Sequence, residues 1–405
     1  MRVLISGASI AGPVLAYWLT RHGFDVTVVE RAPTLRKTGG HAVDLFRPAM
    51  EISEKMGVLP RIEALATGTD RLTMYREGRP RPTVVDLTKL TGVASDRHVE
   101  IMRDDLSEIY YDAARDDVEY LFGDSITAIE HDGEVTFEHA PARAFDVIVG
   151  ADGLHSNVRR LVFGEEAALT RFLGGYLAVV SAPKTLAHQN EMLGHLGVGR
   201  LAAVYTADHL DDARVVFMFR SKEELDYDHH DSLRQKELLR NAFAGMHPQV
   251  DGWLGEIGRT PAFYFDSITQ LRMDRWSRRR VTLVGDAGYC PGPAVGGSTS
   301  LAVLGAYVLA GELARAGGDQ LRAFAAYELQ MREPVHLSQS FARGAAKTII
   351  PGSRAGVWAL TRGLRLVSLM PGSLSRGVAK LNTKGLRLYD SMRYEDYDTP
   401  VAGPS

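Results

Sequence analysis

Short apolar runs recur along the chain, each closed by a small or acidic residue. Val3-Leu-Ile5 leads into Ser6-Gly7, Val26-Thr-Val-Val29 into Glu30, Val147-Ile-Val149 into Gly150-Ala-Asp152, and Val281-Thr-Leu-Val284 into Gly285-Asp286. Runs this short, β-branched and apolar on both faces, predict buried parallel strands that deliver their last residues to one sheet edge. Helical spacing follows three of them. Pro13 to His22 forms a helix with Pro in its first turn and Gly23 as its stop, Ser156 caps a helix that Gly164 ends, and Leu301, Leu304, Val308, Leu309 and Leu313 mark a third helix.

Residues 171–269 have a different texture. Tyr176 to Val180, Leu201 to Tyr205 and Val215 to Phe219 are β-rich runs between polar turns, with one helix from about Leu233 to Met246. Tyr75 and Val84-Val85 predict a further hairpin within 72–90. The division expected is therefore one α/β domain assembled from 1–70, 98–170 and 270–335, a β-rich domain from 71–97 and 171–269 roofing a ligand site, and a C-terminal helical segment with a flexible tail over 336–405. That last segment carries no acidic residue between Glu333 and Asp390, while Gly-Ser breaks at 352 and 372 divide it into two or three helices.

The first strand, the turn Gly7-Ala-Ser9-Ile10-Ala11-Gly12 and the helix behind it form a strand-turn-helix phosphate cradle. Glu30, followed by Arg31, lies 23 positions after Gly7, where a dinucleotide fold places the carboxylate that holds a ribose. Ser9 stands where such a motif has its second glycine. Near residue 285, Asp286 ends a strand, and the irregular loop through Pro293, Gly296 and Gly297 opens a helix N-terminus, which suits an anionic or electron-rich ligand.

The glycine-rich turn, the central Asp152-Gly153 and the late Gly285-Asp286, in this order, resemble the class A flavoprotein monooxygenases. That family includes para-hydroxybenzoate hydroxylase and the tetracycline-inactivating monooxygenases. The resemblance covers nearly all of 1–335. It implies an FAD-binding Rossmann-like (GR2-type) domain with an inserted β-sheet substrate domain and C-terminal helices. Residue by residue it implies that Arg103 contacts the ribityl and phosphate region of the flavin, that Arg36 serves the cofactors, that Asp44 lies by the flavin, that Asp152 belongs to the cofactor site, that Asp286 holds the ribityl chain, and that Pro293 to Gly297 lies against the pyrimidine edge of the ring. It further implies reduction of FAD by NADPH or NADH, a flavin hydroperoxide formed with O2, and insertion of one oxygen atom into an aromatic or polycyclic substrate, the flavin rather than a side chain carrying the chemistry. Tyr176, Tyr205, Phe217, Phe219 and Tyr264 are the candidate pocket walls.

Composition narrows the alternatives. The 405 residues are 45% hydrophobic with a net charge of −3, which gives ample core and argues against nucleic-acid binding. One cysteine, Cys290, permits no internal disulfide and suits a cytoplasmic enzyme, while no apolar run is long enough to span a membrane. Asp228-His229-His230-Asp231 has ligand types in sequence, yet neighbours on one strand point apart, so no metal is expected. A monomer or weak homodimer is expected. The four widely separated tryptophans lack a halogenase signature. A geranylgeranyl-reductase-like enzyme and a flavin-binding protein without turnover stay open.

Overall fold

The computed structural model describes residues 1–35, 40–87, 97–229, 231–259, 262–293, 297–369 and 392–397. The four apolar runs form one sheet. Arg2–Ser6 sits at its centre, parallel to Asp25–Glu30 on one side and to Val147–Gly150 on the other; Glu119–Phe122 and Val281–Leu283 extend it in parallel, and Ser277–Arg278 closes the edge antiparallel. Because the four apolar runs are buried on both faces, they are apolar almost continuously instead of alternating. The helices Ala11–Arg21, Arg103–Ala114 and Ser298–Arg315 pack against this layer, and their apolar faces join it in one core.

The second layer is a seven-stranded sheet in the order Phe263–Leu271, Thr170–Pro183, Asp212–Arg220, Arg200–Tyr205, Glu191–Gly197, Arg71–Arg76 and Thr83–Asp86. The hairpin expected within 72–90 is therefore the far edge of this sheet, joined to it by a parallel pairing with Glu191–Gly197. Helix Ser232–Phe243 is the one expected; Pro248–Gly255, with Pro at its start and His247 capping Gln249 N–H, is an additional helix. Both lie on one face of the sheet, where Leu239, Phe243 and Trp253 pack against Tyr176, Phe217 and Phe219.

The expected boundary after 335 falls inside a single helix, Gln320–Ile349, which contains Pro334. Its first half buries Phe324, Tyr327 and Met331 in the first core, and its second half lays Ala342 and Ala346 against Leu177, Val179 and Met218 of the sheet. One rod thus braces both layers. Helix Arg354–Leu369 follows the break at 352, and residues 392–397 return to the first core, where Tyr397 sits over Gly311. The break at 372 and the tail beyond 397 lie outside the described residues. Among the described residues, no helix is long and apolar enough to cross a membrane.

Candidate functional site

The glycine turn is fixed by the chain's own backbone. Gly7 has φ +108°, and a Cβ there would lie 2.6 Å from the Ala151 carbonyl; a Cβ on Gly12 would lie 1.9 Å from the Gly7 carbonyl. Neither position tolerates a side chain. Helix Ala11–Arg21 starts at Ile10 with no side-chain cap, so its first N–H groups remain available to an anion. Glu30 accepts hydrogen bonds from Ala8 N–H at 3.0 Å and Ala32 N–H at 2.9 Å, which pins its carboxylate beside the turn. Arg31, next in sequence, is exposed.

Ser9 is compatible with the second glycine position because its hydroxyl turns to Arg103, whose Nη2 donates to it at 3.2 Å, while Ser107 Oγ donates to the Ser9 carbonyl at 3.1 Å. Arg103 begins helix Arg103–Ala114, and its charge acts on Asp286. Burial raises the pKa of Asp286, with Arg103 and the Cys290 thiol opposing. Gly285, at φ +67°, would bring a Cβ to 3.2 Å from Ala302 and 3.4 Å from Ala11, so the two helices and the Gly-Asp turn meet closely. Gly297, left-handed at φ +79°, opens helix Ser298–Arg315 without a side-chain cap. A cradle closed to side chains, two uncapped helix starts, two carboxylates and one arginine form a donor set that fits a dinucleotide.

Other expected residues are placed differently. Asp152 spends its carboxylate on the protein: it accepts from Ser6 Oγ at 3.3 Å, Ser156 Oγ at 2.5 Å and Val158 N–H at 3.1 Å, anchoring helix Asn157–Phe163. Asp44 pairs with His98 Nε2 at 2.7 Å, and the Asp44 carbonyl accepts from Ser300 Oγ at 3.3 Å, which ties it to the second uncapped helix. Pro293 lies in the turn after the Gly-Asp strand. Arg36 and Gly296 lie outside the described residues.

The five aromatic candidates separate by strand alternation. Tyr176, Phe217 and Phe219 face helices Ser232–Phe243 and Pro248–Gly255 and fill an aromatic core with Phe265, so they do not line the cleft. Tyr205 and Tyr264 project to the opposite face, toward the first layer. The Tyr205 hydroxyl accepts from Ala42 N–H at 2.8 Å, and the Tyr264 ring lies 6.2 Å from the His41 ring. Burial raises the pKa of both phenols.

Sequence reasoning missed two histidines. His41 is set deep among Arg103, Asp44 and Tyr264 yet keeps accessible surface, as do Asp286 and Tyr264, so these side chains line an internal cleft between the layers. Burial first, and the Arg103 charge second, lower the His41 pKa to about 4 against the pull of Asp44, leaving a neutral imidazole. His155 is the reverse. Its Nδ1 meets Glu166 Oε1 at 2.9 Å and its Nε2 meets Asp266 Oδ2 at 3.0 Å. Burial would depress its pKa, but the two carboxylates outweigh it and raise the pKa to about 10. Buried Arg159 completes this junction, donating to Glu166 Oε2 at 2.6 Å and the Ala287 carbonyl at 3.0 Å. Asp266 also accepts from Tyr264 OH at 3.3 Å. The histidine-rich 228–231 stretch contributes His229, stacked on His155 at 5.0 Å; His230 lies outside the described residues, and among the described ones no group of three such side chains is arranged to hold a metal ion.

Comparison with known proteins points to FAD as the dinucleotide. A family model described as an FAD binding domain matches residues 1–321. A flavin-dependent monooxygenase of Legionella longbeachae is 35% identical over 344 residues, 84% of this chain and 87% of the relative. A monooxygenase of Cercospora beticola is 32% identical over 399 residues, 91% of this chain and 92% of the relative. Among solved structures, the tetracycline destructase Tet(51) superposes with a TM-score of 0.82 at 29% identity, covering 98% of this chain and 99% of its own. The chain belongs to the FAD-binding family of flavin-dependent monooxygenases.

Proposed function

We propose that this monooxygenase inserts one atom of O2 into a fairly large, electron-rich aromatic or polycyclic compound, with NADH or NADPH as reductant. The observation that carries this reading is the set of partly accessible polar side chains where the cofactor layer meets the seven-stranded sheet, Tyr264 on the sheet side and His41, Arg103 and Asp286 on the other. Sites for such compounds are mostly apolar with a few polar anchors. The likeness to a tetracycline destructase supports a polycyclic substrate and antibiotic modification as the field of action.

FAD, when bound, supplies the redox chemistry with O2. The side chains bind, orient and exclude water. The turn Gly7–Gly12 and the start of helix Ala11–Arg21 would hold the pyrophosphate, Glu30 the adenosine ribose and Asp286 the ribityl hydroxyls, while Arg103, hydrogen-bonded to Ser9, would serve the ribityl and phosphate region. The uncapped start of helix Ser298–Arg315 would offer its partial positive charge to a bound flavin, an interaction worth about 0.3 to 1 kcal/mol, or up to about 2 when partly buried. The sheet roofs the cleft and keeps bulk water from the reacting atoms.

Turnover under labelled oxygen tests the assignment. A product heavier by one labelled atom, formed at the expense of NADH or NADPH, is the expected result. A product that gains two hydrogens and no oxygen moves the enzyme to a reductase reaction, and protein that cannot be reconstituted with FAD overturns the cofactor site itself.

A further inference from the structure

His41 is held through its backbone on both sides and left free at its ring. Gly40 N–H donates to Asp104 Oδ2 at 3.0 Å, and the Gly40 carbonyl accepts from Arg214 Nε at 3.1 Å. The His41 carbonyl accepts from Arg103 N–H at 3.1 Å, and Ala42 N–H donates to Tyr205 OH at 2.8 Å. Four hydrogen bonds therefore fix three consecutive residues, two from the start of helix Arg103–Ala114 and two from the seven-stranded sheet. Among the described residues nothing hydrogen-bonds either imidazole nitrogen, and the ring's aromatic neighbour is Tyr264.

A rigidly mounted ring whose nitrogens have no protein partner yet keep accessible surface is placed to hydrogen-bond a ligand in the place of water. The ring opens to the cleft, and Arg103 nearby disfavours its protonation, so it offers an acceptor nitrogen as well as one N–H. An acceptor nitrogen is matched by a hydroxyl that donates. Its neighbours come from both layers, Tyr264 from the sheet and Arg103 and Asp44 from the cofactor side, which places His41 where the two layers meet.

We propose that His41 is a specificity-determining residue whose imidazole accepts a hydrogen bond from a phenolic or enolic hydroxyl of the substrate. This rests on the proposed oxygenation of a hydroxylated aromatic compound in the same cleft. A methyl ether of the same skeleton cannot donate and would displace water from the ring nitrogen without replacing its hydrogen bond, so the site discriminates against it.

The test uses FAD-loaded enzyme and two probe pairs, a naphthol with its methyl ether and a hydroxybiphenyl with its methyl ether, binding being followed by the perturbation of the flavin spectrum. The parent is expected to prefer each phenol by about ten-fold or more. His41→Phe is expected to abolish the preference with FAD affinity unchanged, and His41→Gln, whose amide oxygen accepts, to restore part of it. A purely structural role would weaken phenol and ether alike. Absence of a preference in the parent, its persistence in His41→Phe, or a fall in FAD affinity in both variants overturns the proposal. The outcomes separate from those of the proposed reaction: phenol preference without incorporation of labelled oxygen defeats the oxygenation alone, and incorporation without preference defeats only the role of His41.

Discussion

The two faces of the seven-stranded sheet are built from the same strands and do opposite work. Toward helices Ser232–Phe243 and Pro248–Gly255 the sheet presents Tyr176, Phe217, Phe219 and Phe265, buried rings packed on rings. Toward the cofactor layer it presents Tyr205, Arg214, Tyr264 and Asp266, each with a polar tip that meets the other layer or the cleft. Phe265 and its neighbour Tyr264 belong to different worlds because successive side chains of a strand point to opposite faces. Aromatic residues alone therefore do not mark a pocket; the polar tip and the layer it faces do.

The largest expected effect comes from breaking the closed face. Phe217→Ala removes a fully buried ring and should cost about 3 to 5 kcal/mol of stability, measured by denaturant unfolding. FAD affinity of the folded fraction should be unchanged. A variant of normal stability with altered substrate response would return Phe217 to the cleft.

Next in size is a change on the opposite wall of the cleft. Asp286→Ala deletes a carboxylate that would hydrogen-bond sugar hydroxyls, and losing a bond to a charged partner costs about 1.5 to 3 kcal/mol. FAD titrated into the apo variant should bind about ten-fold more weakly or worse. Affinity equal to the parent's removes Asp286 from the cofactor site.

How much of this was legible in the sequence depends on how local each feature is. Gly7, Glu30 and Asp286 end strands and begin turns, so a few neighbouring residues settle their placement. Asp152 shows the limit of that logic: its motif is local and its strand is where expected, but its carboxylate is consumed by Ser156 and Val158, the start of its own helix. The phase of the long strands was not legible. Thr170–Pro183 shifts register against Phe263–Leu271 between Phe172 and Tyr176, and such an irregularity decides which side chains face inward without leaving a clear mark in the sequence. Helix Gln320–Ile349 crosses the expected boundary because its apolar positions continue past 335, although the surfaces they meet change. His41 was missed because its role comes from residues far along the chain, Tyr205 and Tyr264 among them; the one local signal is a histidine directly after two glycines.

The two histidines extend the comparison to pH. The folded pKa of His155 is raised from 6.5 to about 10, so its contribution to stability is fully present below about 6.5 and is lost as pH rises toward 10. The folded pKa of His41 is lowered from 6.5 to about 4, so the native state resists protonation and loses stability as pH falls from about 6.5 to 4. His155→Gln should therefore flatten the alkaline side of the stability profile, and His41→Phe the acid side, in thermal unfolding followed across pH. Identical profiles for both variants would contradict the opposite environments assigned to the two rings.

The smallest effects are expected from one hydroxyl on each face, and they are the finest discriminator between the faces. Tyr176 OH accepts from Leu225 N–H at 2.6 Å, whereas Tyr264 OH donates to Asp266 at 3.3 Å from a ring that borders the cleft. Tyr176→Phe should cost about 0.5 to 1.5 kcal/mol of stability, the net worth of an ordinary hydrogen bond, and leave KM untouched. The longer Tyr264 bond is geometrically weaker, so Tyr264→Phe should change stability less. Its mark should fall on KM for the aromatic substrate and on the flavin spectrum of the complex, since the ring stays in place while the polar tip facing the cleft disappears. Unfolding curves and steady-state kinetics of the two variants, taken side by side, give the answer: if Tyr176→Phe shifts KM and Tyr264→Phe shifts only stability, the assignment of the two faces is inverted.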